Sequence, residues 1–92
     1  MIQHFIIAGN LAETPKKHTF EEDGAESIVL YVKTEEEVFQ IYAFAQDLQE
    51  KGISMHKGQA VTVTGHIHSR ACKVIPGEYS HSYILVATTI EK

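Results

Sequence analysis

The stretch KGQAVTVTGHIHSR, Lys57–Arg70, alternates apolar and polar residues from Ala60 onward. Successive side chains of a strand point to opposite faces, so Val61, Val63 and Ile67 share one side and Thr62, Thr64, His66, His68 and Arg70 the other. Gly65 interrupts the run at a point where a strand can bend or bulge. The pattern is that of a long strand with one apolar face. Its polar face leaves three readings open: a metal site, a nucleic-acid surface, or a solvated strand face.

Working outward, two more stretches read as strands. SIVLYVKT, Ser27–Thr34, is dense in β-branched and aromatic residues, and VFQIYAFA, Val38–Ala45, follows after only three glutamates. So short a spacer implies an antiparallel hairpin, because a parallel crossover needs a dozen or more residues. IQHFIIAG, residues 2–9, is another apolar run, too short for an independent helix, and reads as a first strand. The polar NLAETPKKHTFEEDGAES that follows contains Pro15 and Gly24 and reads as a long connection or a turn-bearing strand extension. QDLQEKGISMHKG loses the alternation, contains helix formers and meets a stop at Gly52, which predicts a helix of about two turns. A loop with Pro76 and Gly77 then leads to HSYILVATTIE, the fifth strand.

Three strands, a short helix and two more strands are the order of an OB-fold, a small five-stranded Greek-key barrel. An SH3-like barrel is the structural competitor, and it usually lacks a helix at that position. The expected fold class is therefore all-β, a single OB-fold domain over residues 1–92, since a chain of 92 residues supports one core.

Composition narrows the function classes. With 43% hydrophobic and 22% charged residues the chain is neither disordered nor membrane-spanning, and it opens without the features of a signal peptide. A cytoplasmic location is expected. The lone Cys72 cannot form an internal disulfide, which fits a reducing compartment. Eight Lys and Arg against twelve Asp and Glu give a net charge of −4, the wrong sign for a strong nucleic-acid binder. The charges are segregated, however. Acids gather at Glu21–Glu26 and Glu35–Glu37, bases and histidines at Lys16–His18 and between His66 and Lys73, so a local basic surface survives the negative total.

Several stretches together resemble one family, the bacterial single-stranded DNA-binding proteins. FIIAGNLAETP, with Gly9, Asn10, Leu11 and Pro15, is similar to the family's opening strand and turn. VFQIYAFAQDL resembles its third strand, which ends in Phe and a small residue before a helix. KGQAVTVTGHIHSR resembles its fourth strand. The ordered set spans about nine tenths of the chain. Departures accompany it: the family's tryptophan positions carry Val38 and Cys72, the hairpin between strands 2 and 3 shrinks to about Glu35–Glu37, and the sequence stops at Lys92 without the acidic-tipped tail that recruits replication partners. Compact relatives of the primosomal replication protein B kind, or of phages and mobile elements, share this shortened form.

The resemblance implies single-stranded DNA as ligand, replication or primosome proteins as further partners, and a homodimer or homotetramer. Tyr42, Phe44, Tyr31 and Tyr79 are the candidate π-faces for bases, and Phe44 also reads as a core or subunit-contact aromatic. Val38, Gln40, Tyr42 and Phe44 share one face of their strand, with Phe39, Ile41 and Ala43 on the other. Both faces are apolar, so alternation alone leaves open which one is buried. Lys16, Lys17 and His18, placed in the first loop, with Lys33 and Lys73, are candidate phosphate contacts and read equally as solvated charges, whereas Arg70 would hold a phosphate or stack on a base. His66 and His68 would stack while neutral and add charge when protonated.

Metal binding has little support, because His66, His68 and Cys72 lack the paired spacing of structural zinc ligands, and no cofactor is expected. Catalytic motifs are missing from the sequence: no Gly-rich phosphate loop, nucleophile elbow or HExxH, so no enzyme is expected. Losing two tryptophan positions at roughly 1–3 kcal/mol per stacked base predicts weak binding. The alternative is an OB-fold protein-interaction module of a replication or primosome assembly with little DNA affinity of its own.

Overall fold

The computed structural model describes residues 3–75 and 78–92, with side chains described for 3–69 and 83–92. Its elements are β1 (His4–Leu11), β2 (Lys16–Thr19), β3 (Glu26–Lys33), β4 (Val38–Ala43), α1 (Gln46–Ile53), β5 (Ala60–Ile75) and β6 (Glu78–Glu91). One sheet runs β1-β5-β6-β4-β3-β2, and β1 also pairs with β3 through Asn10↔Lys33 and Leu11↔Val32. That extra pairing bends the sheet into a partial ring. All strand contacts are antiparallel except β4 with β6, which run parallel through Ile41↔Leu85 and Tyr42↔Val86.

The apolar sides of the strands meet inside this ring. Leu30, Val32, Ile41, Ala43, Val61, Val63 and Ile90 are buried there with Leu11, Leu48 and Met55, and Phe5, Ile7, Phe39 and Leu85 pack against them. Register settles the ambiguity of β4. Leu30 faces Ile41 and Val32 faces Phe39, so the Phe39, Ile41, Ala43 side is core and the Gln40, Tyr42 side is outward.

Three expectations need correction. Among the described residues there are six strands rather than five: Lys16–Thr19, read as part of a long connection or a turn-bearing strand extension, is a strand of its own that pairs with β3 through Lys16↔Val29 to Thr19↔Glu26. All four of its residues are exposed, so no apolar pattern betrays it, and its backbone groups are satisfied by β3 instead. The expected loop after Arg70 is mostly strand, because β5 continues to Ile75 and β6 begins at Glu78, each pairing the other along a long hairpin. Finally, α1 passes through Gly52, whose backbone packs against Ile28, and is capped at Ser54, where the following Met55 amide donates to the Gly52 carbonyl at 3.0 Å. Ser54 Oγ donates to the Lys51 carbonyl at 2.7 Å and satisfies a second terminal acceptor.

Two local expectations hold. The β3–β4 hairpin is short, with Thr34 Oγ1 accepting from the amides of Glu36 and Glu37, both at 3.3 Å. At Gly65 the β5–β6 register slips, so that Thr64 faces Thr89 while Gly65 faces Ala87, leaving Thr88 as the extra residue of a bulge. A β-carbon on Gly65 would strike the Val86 carbonyl oxygen and the Phe5 ring, which is why the bulge sits on a glycine. Among the described residues no helix is long and apolar enough to cross a membrane.

Candidate nucleic-acid interface

The outward side of β2, β3 and β4 gathers four rings. His18 on β2 faces Ser27, one strand away from β4, and its ring lies 5.7 Å from Tyr42. Phe20, just past β2, stands edge-on to His18 at 4.6 Å and 5.1 Å from Tyr42. Phe44, just past β4, is roughly parallel to Phe20 (5.7 Å, 24°) and to Tyr42 (6.4 Å, 25°). Such spacings are those of favourable aromatic pairs. His18 is exposed and the other three are half-buried, so the rings form a surface rather than part of the core.

Backbone hydrogen bonds hold that surface in place. Phe20 N–H donates to the Ala25 carbonyl at 2.9 Å and Gly24 N–H to the Phe20 carbonyl at 2.8 Å, closing the β2–β3 turn. Gly24 has φ 72°, a left-handed conformation that costs glycine nothing, and Asp23 Oδ1 accepts from the Ala25 amide at 3.0 Å. Phe44 is fixed from the helix. Gln49 Nε2 donates to the Phe44 carbonyl at 2.8 Å and to the Glu26 carbonyl at 3.3 Å, tying α1 to both neighbouring strand ends. Gln49→Ala is expected to lower stability by about 1–2 kcal/mol, read as an earlier urea midpoint with unchanged slope.

The other candidate residues fall into separate groups. His66 and His68 lie on the outward face of β5 with ring centroids 4.2 Å apart, and His66 Nδ1 is 3.2 Å from Thr88 Oγ1. A cleft of about 280 Å³, lined by Ala25, Phe44, His68, Ser69, Ile84 and Val86, connects this pair to the ring surface. Lys16 shares the outward face of β2 with His18, across from Val29. Lys17 points the other way and lines a cleft with Gln46 and Glu50 of α1, so the expected basic cluster is split between two faces. Tyr31 is half-buried on the outward side, where its hydroxyl pairs with Gln40 Nε2 at 3.3 Å. Lys33 is exposed at the far end of β3, beside Glu35 and Glu36.

The side chains of Arg70, Cys72, Lys73 and Tyr79 lie outside the described residues. Val38, at a tryptophan position of the resembling family, is 51% exposed and puts a small aliphatic surface there. Among the described residues no three His, Cys, Asp or Glu side chains converge as metal ligands. Phe20 is the ring that sequence reasoning missed. Its only signal was an aromatic two residues after His18 in an otherwise polar stretch, a strand-like spacing.

No family model matches the sequence, and no curated protein matches it. Solved structures do. A Plasmodium falciparum single-stranded DNA-binding protein, in complex with single-stranded DNA, superposes with a TM-score of 0.70 at 11% identity, over 99% of this chain and 94% of that one. The wild-type single-stranded DNA-binding protein of Thermus aquaticus gives 0.71 at 18% identity over 99% of this chain, which spans 40% of the Thermus chain. With its partial-ring sheet, parallel β4–β6 contact and single short helix, this chain has the fold of the single-stranded DNA-binding proteins, as the sequence resemblance implied.

Proposed function

We propose that the protein binds single-stranded DNA without strong sequence preference and without chemistry, in replication, recombination or mobile-element transfer in the cytoplasm. The observation that carries this reading is the four-ring surface of His18, Phe20, Tyr42 and Phe44 on the outward side of the sheet. Every base has a π-face, so a row of rings accepts any sequence, and only an unpaired strand can lay its bases on them. Lys16 beside the rings supplies a phosphate contact, and Arg70 and Lys73 add others along the hairpin. With one lysine among the described rings and a net charge of −4, affinity is micromolar or poorer. Self-association into a dimer or tetramer would multiply such weak contacts along one strand.

Competition tests the reading. Unlabelled single strands should displace a labelled oligo-dT at far lower concentration than duplex of the same length; equal displacement by duplex would place the affinity in charge alone. Lys16→Ala should make the slope of log K against log salt shallower by about 0.7, the share of one single-strand phosphate contact. An unchanged slope would remove Lys16 from the interface.

A further inference from the structure

The geometry points to a surface site for a first-row divalent ion that favours imidazole ligands, such as Zn²⁺, Ni²⁺ or Cu²⁺, chelated by His66 and His68. The two residues stand two apart on the outward face of β5, where the rise of a strand alone would hold them about 6.6 Å apart. Their ring centroids are 4.2 Å apart at an interplanar angle of 54°, so the imidazoles lean together. Metal–nitrogen bonds of about 2.0–2.1 Å join ligand nitrogens no more than about 4 Å apart, a separation that rings this close can meet. His66 is half-buried and His68 exposed, so an ion reaches them from solvent and water completes its shell.

The surroundings of the pair suit this chemistry. Thr88, the extra residue of the bulge, places its Oγ1 3.2 Å from His66 Nδ1. When the threonine hydroxyl accepts the Nδ1 proton, the Nε2 lone pair is left for an ion, and an outer partner of this kind is what orients a ligating histidine. β1 brings a third imidazole to the same face. His4 pairs with His66, and the Ile67 amide donates to the Gln3 carbonyl at 2.7 Å. The His4–His66 pair therefore lies between ladder bonds, in the register where facing side chains approach most closely. Two imidazoles converge as the side chains stand, and a third ligand requires only that the exposed His4 change rotamer. An ion there adds two positive charges to a chain of net charge −4, at the His68 end of the cleft that leads to the rings. The site does not depend on the single-strand reading.

Titrating the untagged full chain with NiCl₂ at neutral pH, with the backbone amides followed by NMR, tests the site. A paramagnetic ion broadens the signals nearest to it, so saturable broadening should centre on His4, His66, His68 and Thr88, while the His18 and His56 amides stay sharp. Zn²⁺ should displace Ni²⁺ from this position, and Mg²⁺, which prefers oxygen ligands, should not. His66→Ala and His68→Ala should each weaken Ni²⁺ binding by about tenfold or more, whereas His56→Ala should leave it unchanged. Both rings lie on the outward face, so circular dichroism should show the variants folded, and the wild-type broadening map decides by itself if one is not. Broadening spread over all the histidines alike, or Ni²⁺ binding that survives both His66→Ala and His68→Ala, would overturn the site and leave two rings that merely pack on each other.

Discussion

Replacing Tyr42 and Phe44 together by alanine is expected to weaken oligo-dT binding by about 2–6 kcal/mol, from roughly 30-fold to loss of any measurable complex. The two rings lie 6.4 Å apart and nearly parallel, and each also contacts Phe20, so the double variant removes two platforms and strands a third. Phe20→Ala alone should cost about 1–3 kcal/mol of binding by the same reasoning. Because the rings are half-buried on the outward face, the fold should survive, as circular dichroism of the variants would verify. Anisotropy of a labelled oligonucleotide reads the effect. A double variant that binds as tightly as the wild type would mean that the rings merely shield the sheet from water.

Gly65→Val is expected to destabilise the fold by about 3 kcal/mol or more, at the upper end of overpacking costs. The obstruction at this site is the Val86 carbonyl oxygen, and a backbone group on the central strand β6 cannot swing aside as a side chain would. Relief would require opening the β5–β6 ladder at its bulge, and with it the bridge between Thr64 and Thr89 just before the slip. For a domain of this size each kcal/mol moves Tm by about 4–8 °C, so thermal unfolding should fall by at least about 12 °C. A Tm within a few degrees of wild type would show that the bulge does not depend on glycine. His66 and His68 follow Gly65 directly on β5 and pair with Val86 and Ile84, so opening the ladder there should also disturb binding more than its distance from the rings would imply.

Much of this architecture was legible in the sequence, and the parts that were not share a physical cause. β3, β4 and the first part of β5 declared themselves because their apolar residues must be buried: Leu30, Ile41 and Val63 are fully so. β2 and the outer half of the β5–β6 hairpin were not legible, because they are held by ladder hydrogen bonds to a partner strand and carry no apolar stripe of their own. The two faces of β4 could not be told apart in one dimension, since both are apolar; only the register with β3 separates Ile41 from Tyr42. Tyr42, Phe44 and His18 were named from the sequence, yet their grouping was not. It depends on a turn at Asp23 and Gly24 that closes Phe20 against Ala25, and on a glutamine of α1 that fixes Phe44 from behind. Lys17 shows the opposite error. It is adjacent in sequence to Lys16 and His18 but a strand sends it to the other face.

The central claim is that the outward ring surface holds unpaired nucleic acid. Fluorescence anisotropy of a labelled oligo-dT of about 35 nucleotides, titrated with the protein at low and at moderate salt beside a duplex control, tests it most directly. The account predicts saturable binding that prefers the single strand and weakens as salt rises, with a shallow slope fitting the few cations near the rings. No binding at low salt would contradict it, and would leave an OB-fold whose outward rings meet a protein instead.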